Sequence, residues 1–221
     1  MSETVTNASS LAVPLWKRIL FSSVLAEKSV AKRIAYIGVM AALCIATNMF
    51  EIKFATTQFS FTVLSSILAG ILIGPLFGFC AVFLGDAVGY LYNSMGYVYY
   101  WWVALSVATM ALIAGLVMNL PFKFKGAVFV KLAIICLLTF FVCSVGINTT
   151  GMYYIGLNIY FPKDVQNAAA ERFGGEFTFW IYCAIRFFIL GQIYNSILNY
   201  ALLFVIVPVL GAVKPLKLNI K

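Results

Sequence analysis

The sequence predicts an all-α membrane protein, a bundle of six transmembrane helices with both termini cytoplasmic. Three observations lead there. Hydrophobic residues make up 63% of the 221 residues, charged residues only 10%, and mean hydropathy is +1.01; a soluble domain carries about 25% charged residues. The apolar runs are continuous, whereas the strands of a closed membrane barrel would alternate. The cations gather at one set of run ends.

In chain order, residues 1–33 read as a cytoplasmic N-terminal segment. Residues 15–30 are interrupted by Lys17, Arg18, Glu27 and Lys28, and no compact apolar run ends in an Ala-x-Ala site, so this is no cleaved signal. Trp16, Ile19, Leu20 and Val24 can share one face of an interfacial helix; a loosely ordered tail accounts for them equally well. The transmembrane domain follows over 34–213, and 214–221 form a cytoplasmic tail. Six spans are expected near 34–50, 59–73, 77–91, 101–120, 130–147 and 177–210. Gly74-Pro75-Leu76 joins the second and third, because Pro cannot continue a helix and Gly relaxes the backbone. The sixth run, about 34 residues or ~51 Å as a helix, must tilt, kink or protrude; Pro208 is a candidate stop.

Charge orients the bundle. With both termini inside, the inner side holds Lys17, Arg18, Lys28, Lys32, Arg33, Lys123, Lys125, Lys131, Lys214, Lys217 and Lys221, and the outer side Lys53, Lys163 and Arg172. Eleven against three obeys the positive-inside rule. This topology also explains the net charge of +8, and no nucleic-acid motif or Walker-type loop is present. The chain has no histidine, which removes the usual general base and metal ligand. Cys44, Cys80, Cys136, Cys143 and Cys183 lie in or near apolar runs and read as packing residues. No catalytic residue, metal or cofactor is expected, so the chemistry lies in binding.

Asp86 and Arg186 each stand about nine residues into a span, ~13 Å deep. Charge at that depth faces a bundle interior and usually has a job; a buried pair or hydrogen-bonded group that fixes packing accounts for Asp86 equally well, while function is favoured for Arg186. Gly38, Ala42 and Ala46 share a helix face whose small side chains permit close helix approach, and ordinary bundle packing gives the same spacing. Asp86 sits between Gly85 and Gly89. The stretch from Tyr90 to Trp102 has many aromatics broken by Asn93, Ser94 and Gly96; interfacial anchoring explains many of them, and stacking on a flat heterocycle is the functional alternative. Tyr182 and Arg186 share a face of the last run, while Gln192, Asn195 and Asn199 share another. For these amides interhelical hydrogen bonding is preferred, worth about 0.6 kcal/mol each.

These residues carry a resemblance. The small stripe ending in Ala42-Leu-Cys-Ile-Ala46, the pair joined by Gly74-Pro75-Leu76-Phe77-Gly78, the block Gly85-Asp86-Ala87-Val88-Gly89, and Ile147-Asn148-Thr149 followed by Arg186 resemble the S component of an energy-coupling-factor (ECF) vitamin transporter. Ile147-Asn148-Thr149 and the arginine that follows are most similar to the folate branch, and the likeness covers roughly 34–210. The loop Met95-Gly96-Tyr97-Val98-Tyr99 lacks that branch's proline-rich segment, and the loop 158–176 is long.

The resemblance implies a multi-pass subunit of the bacterial plasma membrane that binds a scarce vitamin from outside. It implies docking on a transmembrane coupling subunit through Gly38, Ala42 and Ala46, powering by two ATPase subunits, and delivery by toppling. The expected substrate site lies between the outer halves of the helices and comprises Asp86, Tyr90, Asn93, Tyr97, Tyr100, Trp101, Asn148, Tyr153, Trp180 and Arg186. Folate is the first expectation; pantothenate, riboflavin and cobalamin are alternatives. Two other classes stand beside it. A self-sufficient small transporter should show a repeated half or Gly/Pro-broken helices, and a structural membrane protein should bind no vitamin. A membrane enzyme ranks last, for want of a nucleophile–base set.

Overall fold

Long apolar runs rich in Ala, Leu, Ile and Met satisfy their backbones internally, and the chain is accordingly helical. The computed structural model describes residues 19–213 apart from 27, 54–57, 93–97 and 123. A short turn of helix α1 (Ser23–Ala26) precedes α2 (Val30–Met49), and strands β1 (Glu51–Lys53) and β2 (Gln58–Ser60) follow. Then come α3 (Thr62–Ile73), α4 (Pro75–Tyr92) and α5 (Trp101–Met118). Helix α6 runs over Ala127–Tyr154. The short α7 (Leu157–Tyr160) and the polar α8 (Lys163–Phe173) lead to α9 (Phe179–Ile189) and α10 (Gln192–Ala212). Five of these, α2, α4, α5, α6 and α10, are long and apolar enough to cross a membrane; α3 and α9 are shorter apolar helices.

The bundle is built around α3. Ile67, Ile71 and Ile73 are fully or almost fully buried, and α2, α4, α5 and α10 all pack on this helix. Close approach depends on absent side chains. A Cβ at Gly70 would strike the Ala111 carbonyl, and one at Gly115 would stand 2.6 Å from the Pro75 nitrogen. Gly74 takes φ 108°, open to glycine and strained for other residues. It ends α3, and Pro75 opens α4 where its missing N–H costs nothing. At the far end of α5, Lys131 Nζ donates to the Met118 carbonyl at 2.9 Å, satisfying a terminal acceptor with a cation where the helix dipole favours one.

Residues 21–26 are part of this core. Val24 and Leu25 are buried. Ser22 Oγ donates to the Leu72 carbonyl at 2.5 Å, and Arg33 donates to the carbonyls of Leu25 and Ala26 at 2.9 and 2.7 Å. Asn119 Nδ2 donates to the Phe21 carbonyl at 3.3 Å, and the Phe21 ring stacks on Phe77 at 5.0 Å. Val24 is thus an inward packing residue, Ile19 is exposed, and Trp16 lies outside the described residues.

Three features depart from the sequence expectation. The sixth run is two helices, because Leu190 ends α9 and Gly191, at φ 76°, turns the chain before α10 begins. Pro208 lies inside α10 rather than ending it. Where a second span was expected from residue 59, an antiparallel hairpin pairs Glu51 with Ser60 and Lys53 with Gln58 before the helix starts.

Candidate functional site

The amides of α10 have a structural task. Asn199 is fully buried. Its Oδ1 accepts the Leu64 N–H at 3.0 Å, and its Nδ2 donates to the Ser60 carbonyl at 2.9 Å. Asn195 Oδ1 accepts the Ser60 N–H at 3.2 Å. Together they close the hairpin end and satisfy donors at the start of α3, which a helix N-terminus cannot pair internally.

Arg186 is positioned otherwise. It stands in Ile185–Ile189, a π-helical stretch of α9. Its Nη2 donates to Asn148 Oδ1 at 2.9 Å and its Nη1 to the Tyr182 hydroxyl at 3.5 Å. Asn148 lies in a second π-helical stretch, Thr139–Thr149 of α6. Such widened turns are rare and frequent at functional sites; here one holds each member of the pair. A guanidinium has five donors, and two are engaged by these neighbours.

Aromatic rings gather beyond the guanidinium. Tyr182, 3% exposed, has its ring 5.8 Å from Tyr153 and 5.6 Å from Phe161. Tyr153 meets Phe179 edge-on at 5.4 Å, and its hydroxyl donates to the Phe177 carbonyl at 3.3 Å. A second group lies on α4 and before α5. Tyr90 packs on Tyr99 at 5.0 Å. The Tyr99 phenol is pushed up to about 12, by burial first and then by the Asp86 carboxylate beside it. Tyr100 is buried and its ring lies 4.9 Å from Trp102.

The structure therefore brings Asn148, Tyr153 and Arg186 together on α6 and α9, and links Asp86 and Tyr90 on α4 through Tyr99, while Tyr100, just before α5, packs on Trp102. Arg186 reaches Asn148 and Tyr182, while Asp86 faces Tyr99. Trp101 and Trp180 point outward, 55% and 75% exposed. Asn93 and Tyr97 lie outside the described residues. Sequence reasoning missed Phe161 and Phe177 as neighbours of these groups, and it included Tyr99 and Trp102 in the aromatic stretch without naming them among the site residues. It placed Tyr182 on the face of Arg186 without assigning it to the site. Among the described residues, no three His, Cys, Asp or Glu side chains come together as metal ligands.

On α2, Met40 and Cys44 face inward. The glycines of α4 meet that face: a Cβ at Gly85 would lie 3.0 Å from Cys44 Cβ, and one at Gly89 2.8 Å from Asn48 Cβ. Gly38 and Ala42 are exposed on the other side and Ala46 is half-buried. A Cβ at Gly38 would meet nothing within 4 Å. The small stripe is thus turned away from the protein's own helices.

A family model described as "ECF-type riboflavin transporter, S component" matches residues 28–196. No curated protein matches the chain.

Proposed function

This chain belongs to the S-component family of ECF-type transporters, and on that premise we propose that it captures folate outside a bacterial plasma membrane. S components are vitamin-specific substrate-binding subunits of transporters and not enzymes, and they work with an ECF module. The partners proposed here are the module's transmembrane coupling subunit and its two ATPase subunits. The outward stripe of Gly38, Ala42 and Ala46 is the proposed docking face, since small side chains let a foreign helix approach closely. Six crossings are proposed, with α9 and α10 together forming the sixth and both termini cytoplasmic. The expected site residues, including Asn93, Tyr97, Trp101 and Trp180, remain the proposed lining.

One observation carries the choice of cargo: a guanidinium held by Asn148 and Tyr182 beside clustered aromatic rings. Folate pairs a flat pterin, suited to stacking, with a carboxylated tail, suited to bidentate donors. The description of the matching family favours a second reading, riboflavin, whose flat ring system suits the same aromatics and carries no carboxylate for Arg186. The broken helix at Gly191 is a feature also expected of a self-sufficient transporter; the family match supports the S-component reading instead.

The test is titration of the purified subunit in nanodiscs with folate and with riboflavin, alongside mass spectrometry of whatever small molecule co-purifies. Saturable folate binding that collapses in Arg186→Ala is expected. Riboflavin binding alone, indifferent to Arg186→Ala, replaces folate with the second reading. Absence of any bound or binding vitamin overturns both, and uptake that persists without ATPase partners points to the self-sufficient class.

A further inference from the structure

Trp102 is the second residue of α5 and only 6% exposed. Its indole nitrogen is buried with no hydrogen-bond partner among the described residues. A buried tryptophan N–H normally finds an acceptor, and leaving one unmet costs about 1–3 kcal/mol. The ring is nevertheless held firmly. A Cβ at Gly151 would stand 2.5 Å from its Cδ1 and 3.0 Å from its Nε1, and one at Gly156 would be 3.5 Å from its Cζ2. Tyr100 packs on it at 4.9 Å and Trp101 meets it edge-on at 5.8 Å.

The seat has a definite place. Gly151 follows Asn148 by three residues on α6, just past the end of the π-helical stretch. Asn148 holds Arg186. The unmet donor therefore lies between α5 and α6, against the residue of α6 three positions after the one that holds the guanidinium. Helix α6 thus borders two donors, the Arg186 cation at Asn148 and a neutral N–H at Gly151.

We infer that the Trp102 indole N–H donates a hydrogen bond to an acceptor on the edge of the bound vitamin's fused ring, a carbonyl oxygen or a ring nitrogen, and so helps select the cargo. The inference rests on the vitamin-binding reading above. Gly151 is a positioning residue in it, keeping open the place where the indole lies. A purely structural indole would wedge α5 against α6 and have no bond to gain from ligand.

The experiment is nitrogen-15 NMR of the indole signals in the full chain in nanodiscs, titrated separately with folate and with riboflavin. The chain has four tryptophans, so the Trp102 signal is assigned by its loss in Trp102→Phe. The expected result is a downfield move of that indole proton on saturation with whichever vitamin binds, and affinity weakened about tenfold in Trp102→Phe. If Trp102→Phe does not fold, the signal is assigned by Trp102→Tyr or by elimination with the other three, and the titration of the unaltered chain decides. A vitamin that binds without moving the Trp102 signal overturns the inference and leaves the vitamin reading intact. If neither vitamin binds the unaltered chain, the vitamin reading itself has failed and this inference falls with it.

Discussion

At Arg186 the free energy at stake is that of a charged hydrogen bond, about 1.5–3 kcal/mol, so Arg186→Ala should weaken folate binding more than tenfold in a fluorescence titration. Because Arg186 is held by Asn148 and Tyr182, and Asp86 faces Tyr99, adding Asp86→Asn to Arg186→Met should rescue neither binding nor stability. Full affinity in that double variant would make Arg186 structural. Asn199 offers a contrast far from any proposed ligand. Asn199→Ala strands the Leu64 N–H and the Ser60 carbonyl, and should lower stability by about 1–3 kcal/mol in thermal unfolding. Ile197→Ala, at an outward position 59% exposed, should stay within about 0.5 kcal/mol. The sequence shows that these asparagines share a face; it does not show which backbone they serve, because their partners lie 135 residues away. Trp101 and Trp102 illustrate the same limit. Adjacent residues at a helix start differ by 100° in direction, and only the position of α6 decides which ring is inside.

Helix α2 has two faces with opposite tolerances. On the outward face, Ala42→Trp should abolish energised uptake while leaving vitamin binding to the isolated subunit near its original strength; joint loss of binding and folding would mean the stripe packs within the subunit. On the inward contact, Gly85→Val should destabilise the isolated subunit itself, since a Cβ added there would stand 3.0 Å from Cys44 Cβ and overpacking costs about 1–3 kcal/mol. Thermal unfolding of the two variants separates the faces. Helices of this kind are legible in the sequence because a span of about 20 apolar residues is a strong signal. The break before α10 is not, since Gly191 stands within one long apolar run and its φ of 76° leaves no mark in composition. The hairpin Glu51–Lys53 with Gln58–Ser60 is equally hidden: strands of three residues leave too short an alternation to read.

Across the whole molecule, the proposed orientation rests on the eleven-to-three division of cations. With an impermeant maleimide applied outside intact cells, Ala168→Cys on α8 should label and Lys125→Cys should not; the reverse would invert the topology. The contacts of residues 21–26 have a consequence for the order in which the protein can be completed. Phe21 offers its carbonyl to Asn119, 98 residues later, and Ser22 reaches Leu72 across 50. At roughly 5–20 residues per second, the early segment waits on the order of 5–20 s after synthesis before its last partner exists. It leaves the ribosome among the first and is seated only after about half of the chain has followed, so a bulky tag fused just ahead of residue 21 should delay maturation more than one fused behind α10, as pulse-chase protease protection would show.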